Sequence, residues 1–325
     1  MPIVDPSLLA FLLVLAGAAG ADLGLAILIL AVAPGAGWSA PPGTLPLLDT
    51  PAVMFAGVAM YLAEAVLERH PTGFSVWHAF QRWVRLMALV LLAAMGTAGL
   101  PGTTRLLLGV AMVVMGSGSY VVTSGWQAMV VLRRLPRESQ LLAALAQDVA
   151  FAALLILALD RPLQAAVGAV ALVVLAASRI PLAIRAHRAV VEAGRSWLRA
   201  LLDPGDWVAA EEVPPGVPGA LPEEERPPSP PRGTRALFLT RDLTPGWLLV
   251  ASGRAWYAAP GQTAAALARR PDGTPSPDPL HARLFVTVEG RSGELLVRRD
   301  GPSQAELERE IPLSASHEDT WSGTK

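Results

Sequence analysis

Residues 8–33 read LLAFLLVLAGAAGADLGLAILILAVA, from Leu8 to Ala33, with Asp22 as their one charged side chain. A bilayer core about 30 Å thick needs roughly 20 apolar residues per helical crossing, and this stretch is long enough. Five later segments come close to that length once polar ends are allowed: Pro51–Leu67, Val76–Met95, Arg105–Leu132, Leu141–Leu159 and Leu163–Ala183. Breakers separate most of them: the Pro/Gly-rich stretch Pro34–Pro46, His70-Pro71-Thr72-Gly73, Leu100-Pro101-Gly102, Leu135-Pro136-Arg137 and Asp160-Arg161-Pro162. The shortest joins, at Pro101 and Pro162, can connect only antiparallel neighbours. The expected fold is an all-α polytopic membrane helix bundle of about six crossings in residues 1–202.

Composition points the same way. Of 325 residues, 52% are hydrophobic and 16% charged, whereas soluble domains carry about 25% charged residues. A net charge of −1 gives no general drive toward nucleic acid, because counterion release needs clustered cations. The absence of Cys excludes disulfide scaffolds, thiolate zinc sites, iron–sulfur clusters and cysteine nucleophiles. Lys325 is the sole lysine, which removes P-loop, Schiff-base and Ser–Lys chemistry. His70, His78, His187, His281 and His317 have no metal-ligand spacing, so neither cofactor nor metal is expected.

Ala16-Gly17-Ala18-Ala19-Gly20-Ala21 is small enough for signal-peptide cleavage, but Asp5 precedes it, no cation does, and the apolar run resumes at Leu23. The segment is therefore expected to remain as the first crossing. Cationic loops stay cytoplasmic. With the N-terminus inside, the inner side holds Arg69, Arg82, Arg85, Arg133, Arg134, Arg137, Arg179, Arg185, Arg188, Arg195 and Arg199. The outer side holds only Arg105 and Arg161. Both termini are expected to be cytoplasmic. Arg185, Arg188, Arg195 and Arg199 recur with Glu192 at three- and four-residue steps, which is one helical face. They suit a juxtamembrane amphipathic helix against anionic lipid headgroups, and equally a plain cytoplasmic stop signal.

Residues 203–233 form a Pro-rich acidic linker, with Pro214-Pro215, Pro227-Pro228 and Pro230-Pro231 around Glu223-Glu224-Glu225. Residues 234–312 read as a small β-rich α+β cytoplasmic domain. Its strands are expected at Arg235–Arg241, Trp247–Ala251, Ala255–Ala259, Leu284–Glu289 and Glu294–Arg298, and its short helices at Thr263–Arg270 and Gln304–Glu310. Residues 313–325 are expected to be a disordered tail.

The first crossing carries Gly17, Gly20 and Gly24 around Asp22, and the fourth carries Gly116-Ser117-Gly118-Ser119. These crossings lead two successive three-helix halves of opposite orientation, an inverted 3+3 repeat. Gly-interrupted helices at matching places point to a substrate site at the midplane. Small residues also let helices pack closely, and the two readings are compatible. Ionisable groups at membrane depth are costly and mark pathways. Asp22 is near the centre of its crossing, Glu64 and Asp148 occupy the inner halves of theirs, and His78, Arg82 and Arg85 line one face of the third. Glu64 and Glu68 stand one short turn away, close enough for a Glu–Arg network. The candidate solute or ion path is therefore Asp22, Glu64, His78, Arg85, Ser117, Ser119 and Asp148. Structural ion pairs and snorkelling arginines are the simpler account of Glu68 and Arg82.

Enzymatic readings fit less well. Asp22 and Asp148 invite an aspartyl intramembrane protease, whose paired carboxylates share one proton. Gly20-Ala21-Asp22 lacks its Gly-x-Gly-Asp pattern, and Gln147 precedes Asp148 where a Tyr is needed. A serine intramembrane protease needs Gly-x-Ser-Gly, and Gly116-Ser117-Gly118-Ser119 is out of register. No catalytic residue is assigned.

Tyr61-Leu62-Ala63-Glu64, Glu68-Arg69-His70-Pro71, Ser75-Val76-Trp77 and Arg85 together resemble a bacterial membrane family known as domain of unknown function 4126. Gly20-Ala21-Asp22 and Gln147-Asp148-Val149 extend the resemblance over about residues 5–190. Phe74, His78, Leu86 and Gln127 depart from the family pattern, the first two where acids are usual, Leu86 where Pro is and Gln127 where Lys is. The resemblance implies a multi-pass inner-membrane protein and no particular activity. Two functions are carried forward: a small-solute or ion transporter or channel, and a membrane-anchored sensor acting through its β-rich module. The expected partners are the lipid bilayer with its headgroups, an unidentified solute or protein, and a second copy of the chain in a homo-oligomer.

Overall fold

In the computed structural model the described residues are 5–39, 45, 50–68, 71–132, 136–200, 213–214, 217, 221, 231–239, 243–251, 254–259, 262–270, 281–288, 291–298 and 300–313. The expected linker, apart from a few positions, and the expected tail beyond Leu313 lie outside them. The chain divides into two compact units, residues 1–190 and 191–325.

The first unit is helical. Asp5 caps α1 (Pro6–Ala21) by accepting the Ser7 N–H at 2.9 Å. The helix stops at Asp22, whose backbone is extended, and whose side chain accepts the Leu25 N–H at 2.8 Å to start α2 (Leu23–Val32). The expected first crossing is therefore two helices of 16 and 10 residues. The reason is local: an Asp side chain competes for backbone N–H groups and favours a cap over a helix interior. Then come α3 (Pro51–Leu67), α4 (Pro71–Gly96), α5 (Gly102–Leu132), α6 (Arg137–Asp160), α7 (Pro162–Ala176), a tight 3-10 turn at Ala177–Arg179, and α8 (Ile180–Ala200), whose residues from Val191 onward belong to the second unit. Pro181 has no N–H to give the Ala177 carbonyl. Ile180 donates to it instead, so the sixth expected crossing is interrupted at the turn.

Among the described residues four helical stretches are long and apolar enough to cross a membrane: Gly73–Gly96, Gly102–Leu132, Glu138–Asp160 and Pro162–Ala200. Pro6–Ala21, Leu23–Val32 and Pro51–Leu67 are apolar but shorter. The count of about six full crossings is not confirmed: the described residues hold these four long apolar stretches and three shorter apolar helices. α1 is the central helix. Phe11, Leu12, Leu15, Ala16 and Ala19 pack with Leu89 and Leu92 of α4, Met112 of α5, Leu155 of α6 and Ala165 of α7. Large apolar side chains also face outward, including Phe55 at 73% and Leu175 at 77% exposure. A surface this apolar has lipid, rather than water, as its natural solvent.

The second unit contains a closed antiparallel barrel: β1 (Arg232–Leu239), β2 (Thr244–Ala251), β3 (Arg254–Ala258), β4 (Ala265–Arg269), β5 (His281–Val288) and β6 (Arg291–Arg298), each paired with the next and β6 with β1. Closure removes exposed sheet edges. Alternation sets the two faces. Phe238, Leu248, Val250, Tyr257, Leu267, Leu284, Val286 and Leu295 share one cluster. Leu249, Ala251 and Trp256 form another with Val213 and Leu221. α9 (Gln304–Glu310) starts at a Ser303/Glu306 capping box.

The helix expected at Thr263–Arg270 is strand β4. Its Ala/Leu run suits a helix, but Leu267 pairs with Ala255 on one side and Val288 on the other. Tertiary pairing overrides propensity there.

Candidate functional site

The polar centre of the helical unit is built around the break at Asp22. A broken helix leaves carbonyls at its end without partners, and lipid supplies none. Arg85 answers this from α4. Its Nη1 donates to the Gly20 and Ala21 carbonyls, the latter at 2.6 Å, and its Nη2 donates to Glu64 Oε1 at 3.0 Å. The guanidinium carbon also stands 4.8 Å from the centroid of the Tyr120 ring. A cation at the C-terminal end of α1 suits the helix dipole. Asp22, Glu64 and Arg85 are 7%, 4% and 3% exposed.

α3 and α4 bring the remaining groups. Gln81 donates its amide N–H to the same Glu64 oxygen, and Arg85 links that carboxyl to the carbonyls just before Asp22. Nearer the start of α4, His78 Nε2 faces Glu68 at 3.5 Å, while its Nδ1 is 3.2 Å from the Tyr120 hydroxyl. That hydroxyl donates to the His78 carbonyl at 3.0 Å. Ser75, His78, Gln81 and Arg85 are all buried and recur at three- and four-residue steps, so α4 turns a polar stripe inward. Beyond Arg85 the same helix offers Leu89, Leu92 and Ala93 to the apolar core. At 1.5 Å per residue, Arg85 is about 21 Å from the first residue of α4. The polar stripe thus occupies half of the helix and stops at the break.

Asp148 of α6 is half-buried and accepts the Tyr61 hydroxyl at 3.0 Å, and the Tyr61 backbone lies against Gly24, two residues past Asp22. Asp22, Glu64, His78, Arg85 and Asp148 therefore come together. Ser117 and Ser119 are half-buried on α5 and make no hydrogen bond to that group.

The expected helix breaks at Gly116 and Gly118 do not occur, because α5 is unbroken from Gly102 to Leu132. Gly17 is likewise interior to α1, and Gly20 and Gly24 flank a break made by Asp22. A mid-helix glycine costs about 1 kcal/mol, less than the several kcal/mol of an unpaired backbone group in lipid. α5 thus has no counterpart of the α1–α2 break. Gly20, Gly24 and Gly116 serve close packing instead. A methyl group at Gly20 would strike the Gly116 carbonyl, and one at Gly24 would lie 2.6 Å from the Tyr61 nitrogen.

Gln81, Tyr61, Tyr120, Ser124 and His187 were not among the expected site residues. Gln81 could have been found, since it is three residues after His78 and four before Arg85. His187 of α8 is 2.7 Å from Ser124 Oγ and edge-on to Tyr120. Ser124 gives its proton to the Tyr120 carbonyl at 2.5 Å, so the hydroxyl accepts from His187 and is not primed as a nucleophile. Among the described residues no three His, Asp or Glu side chains gather as metal ligands.

Arg185 and Arg188 of α8 are exposed. Arg195 is 4.0 Å from Glu192, and Arg199 is 3.4 Å from Asp300. In the second unit Arg298 bridges Glu192, at 3.0 Å, and Asp300. Around them Thr234, Arg235 and Trp247 complete a cleft of about 350 Å³. Burial works to raise the Asp300 carboxyl, but hydrogen bonding and charge from Arg298, with Ser196 and Arg199, outweigh it and hold the group below its ordinary range.

A bundle of apolar helices with a buried charged network at a helix break is the architecture of an integral membrane protein. The chain belongs to the family described as domain of unknown function DUF4126, whose family model matches residues 9–181. That span includes every member of the polar centre. No curated protein and no solved structure matches the chain.

Proposed function

We propose that this is a multi-pass protein of a bacterial inner membrane, with both termini cytoplasmic, that moves a small solute or an ion along the polar stripe of α4 to the break at Asp22. One observation carries the reading: a helix is interrupted in the middle of an apolar bundle, Asp22 caps one free end, and Arg85, itself held by Glu64, fills the other. Interrupted helices are tolerated at membrane depth where they line a site. Buried polar atoms without partners support it, namely Ser75 Oγ, Gln81 Oε1 and Arg85 Nε, all on one face of α4. Such atoms mark places for water or ligand. The apolar half beyond Arg85 closes the path on the other side. Arg185 and Arg188 are left to meet anionic headgroups, each contributing about 1 kcal/mol.

The test is flux in reconstituted vesicles across a panel of ions and small solutes. Wild type is expected to carry one of them, and Asp22→Asn to slow it at least tenfold. A wild-type flux left unchanged by both Asp22→Asn and Asp148→Asn rejects this path. The second reading, a membrane-anchored sensor, is favoured by the arginine-lined cleft of the barrel unit. It requires that deleting the barrel abolish the protein's effect in cells, and that the barrel on an unrelated anchor restore it.

A further inference from the structure

Two carboxyls meet at the break. Arg85 spans the Ala21 carbonyl, next to Asp22, and Glu64 Oε1, which sets the two buried acids beside one another, and adjacent buried carboxylates are most economically held with one proton between them. The groups facing the pair are known from every packed helix. α3 contributes Tyr61 and Glu68, α4 contributes Arg85 with His78 beyond it, and α6 contributes Asp148. Tyr120 of α5 lies against the Arg85 guanidinium, with Arg82 on its other side, and α7 has no titratable residue. Among the described residues one guanidinium, that of Arg85, ion-pairs with Glu64, and none ion-pairs with Asp22.

Two further observations bear on which ion belongs here. Arg85 already fills the carbonyl end of α1 at Gly20 and Ala21, where a broken helix would otherwise present oxygens to a metal cation. Gln81, 1% exposed, gives its N–H to Glu64, while the oxygen of the same amide has no partner. An ionised Glu64 needs the amide N–H, and a protonated Glu64 needs the amide oxygen. Half a turn of the Gln81 side-chain amide exchanges one for the other. The site can therefore satisfy Glu64 in either state.

We infer that Asp22 and Glu64 bind one exchangeable proton between them, with the Gln81 amide turning to follow it, and that the proton is the ion this broken helix serves. On binding, one proton adds to a Glu64 oxygen and the Gln81 carbonyl accepts its hydrogen bond. Arg85 gives up its anionic partner and keeps the Gly20 and Ala21 carbonyls. Release reverses each step. The purpose of the proton rests on the transport reading above, whereas its binding rests on the geometry alone.

Infrared difference spectroscopy of the full chain in detergent, between acidic and alkaline buffer in H2O and D2O, reads the proton directly. Wild type is expected to show a deuterium-sensitive protonated-carboxyl band that disappears as pH rises. Glu64→Gln and Asp22→Asn should each abolish or displace the band, and Asp160→Asn, away from the break, should leave it. Asn keeps an oxygen to cap α2, so Asp22→Asn carries the test if Glu64→Gln does not fold. A band untouched by either variant overturns the inference, as does one that sodium chloride at fixed pH removes as alkali does. A proton band without flux would sink the transport reading alone, and a flux without the band would sink the proton site alone.

Discussion

Arg85 serves two backbone carbonyls, a carboxylate and an aromatic face at once, which only a planar cation with five N–H donors can do. Removing one partner of a buried pair costs about 3–5 kcal/mol. Arg85→Met is therefore expected to lose unfolding free energy of that order, seen as a lower thermal unfolding midpoint in detergent. Arg85→Lys, which keeps charge but not the fork, should fall between it and wild type. An Arg85→Met variant as stable as wild type would deny the guanidinium its role at the break. Asp300 gives a pH test outside the membrane. Its folded pKa is depressed by Arg298 against the burial that would raise it. Its contribution to stability is thus complete above the unfolded value of about 3.9 and fades as pH falls through the folded one. Hydrogen exchange of β6 amides in the full chain should quicken over that acid range, and Asp300→Asn should flatten the change.

At the scale of elements, the hydrophobic runs and their Pro/Gly punctuation were enough to find α3 to α6 within a few residues. The same signal could not divide the first run at Asp22, because a single Asp can be accommodated mid-helix or can cap a new one. The choice fell to Arg85, 63 residues later, which partners the freed carbonyls. Gly116 and Gly118 show the converse. They looked like breaks, yet the packing of α1 against α5 uses Gly116 for contact. Gly20→Val is expected to push these helices apart, since its side chain meets backbone rather than a movable side chain. Overpacking typically costs about 1–3 kcal/mol. The drop in unfolding midpoint should exceed that of Gly17→Ala, where a methyl group meets nothing within 4 Å.

For the whole molecule, the orientation proposed from the arginine distribution is easy to test, because the sequence has no native cysteine. Cysteine placed at Arg105 is expected to react with a membrane-impermeant thiol reagent in intact cells, and cysteine at Arg188 only after the membrane is opened. The opposite pattern would invert the topology.

By itself the sequence determined that residues 8–183 are apolar beyond what water tolerates, that a β-rich unit follows, and which charges are stranded at depth. Periodicity and composition are local, and lipid enforces them residue by residue. Only the tertiary structure decided which stranded charges meet. The break at Asp22, Glu64, and the pair Gln81 and Arg85 come from three different stretches of chain, and the hydrogen bonds that join them exist only once the helices pack.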